Sequence, residues 1–205
     1  MTEKRRRSPG RPPTTQKNTT TDQVIIHAAI RLFLNHGYQK VSVDDVAEAC
    51  GVTKATVYYY FKTKAELFTE SILQMMERIR RQIDSLLHSE KPLKDRLFDV
   101  AEAHLRATMD IDLDGFLRET KNNVSENQTH MMRQAEERMY QEIEVVIEEA
   151  VNNNEIRPVS PPFAAHAFIA LLRMGNAPSM QELFTAYEEM ATNIINFYWR
   201  SLTNE

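Results

Sequence analysis

The chain has 205 residues, of which 42% are hydrophobic and 26% are charged, a balance typical of one ordinary globular domain or two small ones. Its single cysteine excludes an internal disulfide framework and any multi-cysteine zinc site, and no run of 18 apolar residues is present to cross a membrane. The basic N-terminus has no apolar segment behind it and does not resemble a secretory signal, so we expect a cytoplasmic protein. Only five glycines, and a predominance of helix-forming residues after position 20, predict an all-α fold.

The charge is distributed unevenly along the chain. Residues 1–64 carry 11 Lys and Arg against 5 Asp and Glu, whereas residues 65–205 carry 14 against 24. A basic first third attached to an acidic remainder indicates a polyanion partner at one end, either nucleic acid or an anionic membrane. The membrane alternative requires an amphipathic helix with a basic polar face. Because the basic residues lie mostly in a proline-rich tail and around a compact helical pattern, nucleic acid is favoured.

Apolar spacing and capping residues predict four helices in the first 90 residues, after a disordered basic arm over 1–20. Gly37 and Gly51 are expected to end the first and second helices. Ser42 followed by Asp45 is a variant of the capping box. The expected N-terminal residues of the four helices are Thr21 or Asp22, Ser42, Thr53 and Thr63.

The rest of the chain is also predicted to be helical. A fifth helix follows Lys91-Pro92, and an acidic link over 110–115 leads to a short helix that contains Phe116 and Leu117. Further helices are expected from about Gln128 to Asn152, over the apolar segment Pro161–Leu172, and from about Ser179 to Leu202. The change in the sign of the charge divides the chain into a DNA-binding domain over 21–66, with three helices, and a helical regulatory and dimerisation domain over 67–205.

Residues 42–61 have the spacing of a helix-turn-helix. Ala47 is small enough for the next helix to cross close above it, and Gly51 can adopt the left-handed backbone of a sharp turn. The second helix would enter a major groove with its N-terminus first. Its expected outward residues are Thr53, Lys54, Ala55, Thr56, Tyr58 and Tyr59.

These outward residue types suit the reading of DNA. Lys54 can donate to guanine O6 or N7, and Ala55 and the Thr56 methyl can contact a thymine methyl group. Hydroxyls of Tyr58 and Tyr59 can donate to phosphates, as can Lys64 at the start of the next helix. A helix pair used only for packing is the alternative, and the basic flanks disfavour it.

The sequence strongly resembles the TetR (tetracycline repressor) family of bacterial transcriptional regulators over about residues 22–70. The residues that carry the resemblance are Ala28-Ala29-x-x-Leu32-Phe33, Gly37-Tyr38, Val41-Ser42-Val43-Asp44-Asp45-Val46-Ala47 and the continuous run from Gly51 to Leu67. The resemblance implies about nine helices, dimerisation through the last two, and a small-molecule site in the C-terminal domain. It implies base contacts by Lys54, Ala55, Thr56 and Tyr58, to which the position of Thr53 adds a fifth candidate. It implies phosphate contacts by Ser42, Tyr59, Tyr60 and Lys64.

The N-terminal arm has two interpretations. The Gly10-Arg11-Pro12 segment resembles the centre of an AT-hook, which places an arginine in a narrow minor groove. Pro9 departs from that motif, because an arginine normally precedes the glycine. Non-specific phosphate contact is therefore favoured. The candidate residues are Arg5, Arg6, Arg7 and Arg11.

Two sets of residues are assigned roles in the C-terminal part. Methionines can line an adaptable pocket, although at helical spacing they more often belong to the plain core. The candidate pocket residues are His104, Met109, Phe116, Met131, Met139 and Met174. The apolar helix 163–172 and the last helix could form a four-helix dimer seam, and an internal core helix is the alternative. The candidate dimer residues are Phe163, Phe168, Leu171, Leu172, Phe184, Tyr187, Ile194 and Ile195.

The sequence as a whole predicts a homodimeric regulator of transcription. We expect a repressor that leaves a pseudo-palindromic operator when a small apolar ligand binds. The alternative is a DNA organiser or partner-binding adaptor that responds to no ligand. No nucleophile–base pair, phosphate-binding glycine loop or metal-ligand spacing is evident, so we expect no enzyme, no cofactor and no metal.

Overall fold

The computed structural model describes residues 20–108, 123–184 and 186–203. Nine α-helices lie within those ranges. They are α1 Thr21–Lys40, α2 Val43–Cys50, α3 Lys54–Tyr60, α4 Lys64–Leu87, α5 Leu93–Thr108, α6 Glu126–Asn152, α7 Pro161–Met174, α8 Pro178–Leu183 and α9 Tyr187–Leu202. The all-α prediction is confirmed.

Local capping fixes where α2, α3 and α4 begin, whereas α1 begins after Thr20 without a side-chain cap, so the predicted cap at Thr21 or Asp22 is wrong. The Ser42 hydroxyl accepts from the Asp45 backbone N–H, and the Asp45 carboxylate accepts from the Ser42 N–H, which completes the predicted capping box. Thr53 and Thr63 each accept from the backbone N–H three residues later. Inside α1, Gly37 takes φ 78° and ψ 164°, so the regular helix stops where the sequence predicts.

The buried apolar side chains form two clusters. The N-terminal cluster joins α1–α3 to the first turns of α4, with Phe33 and Phe68 at its centre. The C-terminal cluster joins the end of α4 to α5, α6, α7 and α9. Packing in the N-terminal cluster continues past the predicted domain boundary at residue 66, because Leu67, Phe68 and Ile72 are buried in it.

Helix α4 links the two clusters. Its side chains contact α1 on one side and α5 and α6 on the other. At 24 residues it spans about 36 Å at the usual rise per residue, long enough to reach from one cluster to the other. Helix α7 packs on α6, and α9 packs on α5.

One predicted helix is two helices in the structure. The expected helix from Ser179 to Leu202 is interrupted between α8 and α9, where Phe184 and Ala186 have extended backbones. The apolar spacing continues across this break, which is why the periodicity does not reveal it. The predicted acidic link and the short helix with Phe116 and Leu117 lie outside the described residues.

Among the described residues, none of the helices has the length and the hydropathy that a membrane span requires. Over the same residues, no group of three or more His, Cys, Asp or Glu side chains is placed to hold a metal ion.

Candidate DNA interface

Helices α2 and α3 form the predicted helix-turn-helix. Gly51 has the left-handed backbone, with φ 67° and ψ 31°, and the Val52 N–H donates to the Ala47 carbonyl at 3.0 Å. Ala47 and Val57 are buried at the crossing of the two helices, 4% and 1% exposed. This packing fixes which side of α3 faces solvent.

The solvent side of α3 carries the residues predicted to contact bases. Thr53, Lys54, Ala55 and Tyr58 are exposed, whereas Thr56 is half-buried. The Thr56 hydroxyl lies 2.9 Å from that of Thr53, so the two side chains form one polar group at the N-terminus of α3. The short helix therefore presents hydroxyls, an amine, a methyl group and a phenol on one accessible face.

Lys54 forms an ion pair with Asp44, a residue to which the sequence analysis assigned no role. Its Nζ donates to Asp44 Oδ2 at 2.6 Å, and both side chains are mostly exposed. The hydrogen bond to Asp44, followed by the charge of that carboxylate, raises the pKa of Lys54. The pairing joins residues ten positions apart on two helices, so helical spacing gives no signal for it.

The residues predicted to contact phosphates lie around the same surface. Tyr59 is 74% exposed, and its ring packs edge-on against Tyr60 with 5.1 Å between the centroids. The Lys64 amine lies 4.3 Å from the centre of the Tyr38 ring and 3.4 Å from the Gln39 carbonyl oxygen. Ser42 is exposed beside Asp45, with its hydroxyl 2.8 Å from that carboxylate.

Two further lysines extend the basic surface. Lys62 is exposed directly after α3, and its Nζ donates to the Tyr59 carbonyl at 3.1 Å. Lys40 is exposed at the end of α1. Both lie in or beside the motif that carries the resemblance, so charge alone could have selected them. The predicted arm residues Arg5, Arg6, Arg7 and Arg11 lie outside the described residues.

The candidate pocket residues that the structure describes are not brought together. Met131 faces a groove between α1, α4 and α6, Met139 packs on the C-terminal cluster, and Met174 is 42% exposed. His104 places Nε2 in the interior without a hydrogen-bond partner among the described residues. Burial, with a smaller effect of the Arg173 charge, lowers the pKa of His104 to about 4. Met109 and Phe116 lie outside the described residues.

Half of the candidate dimer residues are buried in the interior of the single chain. Phe168, Leu172, Ile194 and Ile195 are at most 4% exposed in the C-terminal cluster, so they have no surface to offer a partner. The period of the apolar residues could not separate the inward from the outward side, because α7 is apolar nearly all round. Leu171, Phe184 and Tyr187 are half-buried at the edge of that cluster, and Phe163 is 75% exposed.

Comparison with known proteins identifies this architecture. The family model of "Bacterial regulatory proteins, tetR family" matches residues 25–70, which span α1, the helix-turn-helix and the start of α4. The N-terminal part of the chain is a DNA-binding domain of the TetR type, the type found in bacterial transcriptional regulators. The exposed side of α3 and the lysines and tyrosines around it are therefore the candidate DNA-binding surface.

Individual TetR relatives extend the similarity in different ways. The uncharacterized HTH-type transcriptional regulator YhgD of Bacillus subtilis is 25% identical, with 73% of this chain and 78% of that protein aligned. The probable acrEF/envCD operon repressor of Escherichia coli is 41% identical, but only over 26% of this chain and 24% of the repressor.

A solved structure shows the same fold. FadR of Bacillus subtilis, solved in complex with stearoyl-CoA, has a TM-score of 0.70 at 16% identity, with 85% of this chain and 96% of that chain covered. Similarity is thus strongest in sequence at the DNA-binding end and persists over both parts in the fold.

Proposed function

We propose that this protein is a homodimeric repressor of the TetR family, which occupies a pseudo-palindromic operator in the cytoplasm and leaves it when a small apolar ligand binds. The exposed face of α3 carries the proposal. Its N-terminus is capped by Thr53, and its base-reading candidates point away from the buried Val57. One such helix reads only a few base pairs, so specificity requires a second copy at a fixed distance.

The surface of α7–α9 supports the homodimer. Phe163 on α7, Leu183 at the end of α8 and Phe197 on α9 are 75%, 71% and 69% exposed. Single exposed apolar side chains are common, but several large ones on neighbouring helices are typical of an interaction surface. A seam through these helices would join two copies at the end of the chain opposite to α3.

Helix α4 can transmit a change in packing from the ligand-binding part to the operator-binding helices. It is buried in the N-terminal cluster at Leu67 and Phe68 and in the C-terminal cluster at Ile83 and Leu87. A ligand that changes the packing around the second pair would tilt the helix and alter the spacing of the two α3 helices. Since both must fit successive grooves, a small change in spacing weakens operator binding.

Two of the relatives support repression and the binding of an apolar ligand. One is a probable operon repressor, and another has been solved with stearoyl-CoA, a ligand with a long apolar chain. We extend repression and an apolar ligand to this chain from those two proteins. We place the functional boundary near residue 66, with DNA binding before it and ligand binding and dimerisation after it.

The first test is selection of random duplex DNA on the purified full-length protein, followed by sequencing of the survivors. An inverted repeat is the expected result, and it would supply the operator for an inducer screen. Survivors that share no motif, or only A·T richness, would overturn the proposal. They would assign the main DNA contact to the basic arm and favour the DNA-organising alternative.

A further inference from the structure

A groove of about 720 Å³ lies on the outside of the molecule, where α1, α4 and α6 meet. Its volume is within the range of small-molecule sites. His27 lines it from α1, Arg78 and Arg81 from α4, and Arg138 from α6. The groove therefore touches both the DNA-binding end of the chain and the helices of the regulatory part.

The polar lining of the groove is cationic. Glu77 is the acidic side chain among its lining residues in the described part of the chain, and this carboxylate is already bound by Arg80 and Arg81 at 3.0–3.2 Å. Arg78 and Arg138 are exposed and form no hydrogen bond or ion pair with any described residue. Two guanidinium groups thus face the groove without an anionic partner among the described residues, although residues 65–205 have an excess of acidic over basic side chains.

The rest of the lining is partly apolar. Ile30 is buried at 8% exposure, and Leu73, Met131 and Ala135 are half-buried at the groove. An apolar lining beneath basic side chains matches a molecule that has an anionic head and a short apolar body. A free inorganic anion would interact only with the arginines, and a neutral hydrocarbon would contact only the apolar lining.

We propose that this groove binds an anionic amphipathic small molecule, with its phosphate or carboxylate head between Arg78 and Arg138. Guanidinium groups suit such heads, because their N–H donors match the oxygen pairs of phosphates and carboxylates. The groove is separate from the interior around His104, which does not line it. An occupant would bridge α1 to α4 and α6, and so would bias the orientation of the DNA-binding end. This last consequence rests on the proposed function.

Octyl phosphate is a suitable probe, with inorganic phosphate and octanol as its two halves. Calorimetric titration of the full-length protein should give saturable binding of octyl phosphate that is tighter than binding of either half. Arg78→Gln/Arg138→Gln should weaken it by about tenfold or more, through loss of two charge-assisted contacts. Arg133→Gln is the control for loss of an exposed arginine outside the groove, since Arg133 lies on the same helix as Arg138 but does not line the groove. It should change the affinity by less than about twofold.

The other outcomes overturn the proposal. Equal weakening in both variants would show general charge attraction, and octanol binding as tight as octyl phosphate would place the ligand in an apolar interior. No binding of octyl phosphate would also overturn it. All three arginines are at the surface, so melting temperatures should agree and exclude misfolding.

Different experiments test the proposed binding of a ligand in the groove and the proposed repressor function. Without probe, Arg78→Gln/Arg138→Gln should bind the selected operator as the unaltered protein does, because neither arginine lies at the α3 surface. Loss of probe binding with intact operator binding supports the groove. Absence of a palindromic operator would overturn the repressor proposal and leave the octyl phosphate result standing.

Discussion

Lys54 and Lys64 differ in their surroundings, and this difference predicts separate contributions to DNA binding. Lys54 extends from the exposed face of α3, whereas Lys64 is half-buried at the start of α4 above Tyr38. Lys54→Ala should reduce discrimination between operator variants, through loss of a guanine contact. Lys64→Ala should weaken binding to all sequences alike and reduce the salt slope by about one unit. Equal weakening by Lys54→Ala at every sequence, measured by fluorescence anisotropy, would refute the proposed docking of α3.

The pair between Lys54 and Asp44 predicts that DNA binding is restrained by a carboxylate. A base or phosphate that engages Lys54 must compete with Asp44, and Asp44 itself repels the phosphate backbone. Asp44→Asn should therefore tighten operator binding, by about threefold to tenfold at low salt and by less as salt screens the charge.

Glu48→Gln provides the matched control for Asp44→Asn. Glu48 is an exposed acid on the same helix, and the described part of the chain offers it no ion pair. The two variants change the net charge equally, so a larger gain for Asp44→Asn isolates the pair with Lys54. Equal gains would reduce the role of Asp44 to general electrostatics.

His104 predicts a loss of stability in mild acid. Burial holds the pKa of His104 at about 4, below the ordinary value of 6.5, so the unfolded chain binds a proton that the folded chain does not. Stability should therefore fall as the pH drops from 6.5 to 4. The expected loss is on the order of 3 kcal/mol, since one pKa unit corresponds to about 1.4 kcal/mol.

Urea unfolding of the native chain and of His104→Gln at pH 7, 5 and 4 measures this effect. The variant should lose less stability than the native chain over that interval, because glutamine does not titrate. Groups that titrate in both proteins cancel in the difference. Parallel curves would show that His104 binds a proton equally in the folded and unfolded states.

At the scale of helices, the junction after α7 depends on the small size of one residue. Gly175 has an ordinary right-handed backbone, with φ −59° and ψ −21°, so it is not required for its conformational freedom. A Cβ atom at this position would lie 2.5 Å from Leu105 Cδ2 and 2.8 Å from Met190 Sδ. Both neighbours are fully buried, so they have little room to move. Gly175 thus lets α5 and α9 approach the end of α7.

Gly175→Ala should lower the free energy of unfolding by about 1–3 kcal/mol, as overpacking of a core does. Gly51→Ala is a useful comparison, because its cost of about 1 kcal/mol comes from the left-handed backbone alone. No described atom lies within 4 Å of a Cβ atom at Gly51. Chemical denaturation compares both variants with the native chain. A neutral Gly175→Ala would contradict the close approach of these helices.

At the scale of the whole molecule, the exposed apolar side chains of α7–α9 predict where two copies meet. Phe163→Glu/Phe197→Glu should convert the dimer to a monomer in sedimentation experiments and lower operator affinity, because it places charges in the proposed seam. The fold should tolerate both changes, since these side chains are 75% and 69% exposed. Val145→Glu is the control, because Val145 is 47% exposed on α6. A dimer that survives the double variant would place the seam elsewhere.

Much of this architecture follows from the sequence alone, because the deciding interactions are local. Ser42, Thr53 and Thr63 cap helices through bonds to residues three positions away, and Gly37 and Gly51 break helices through their own backbones. The helix-turn-helix and its outward face follow from such short spacings.

The tertiary structure decided the features that depend on distant residues. The pairing of Lys54 with Asp44 requires two helices to meet. The burial of Phe168 and Ile194, where the sequence suggested a dimer seam, depends on which side of α7 and α9 faces the core. The break at Phe184 leaves the apolar period intact, and the cationic groove gathers residues from three helices. Each of these features is set by packing between helices. The spacing of residues along the sequence does not show which distant residues meet in the fold.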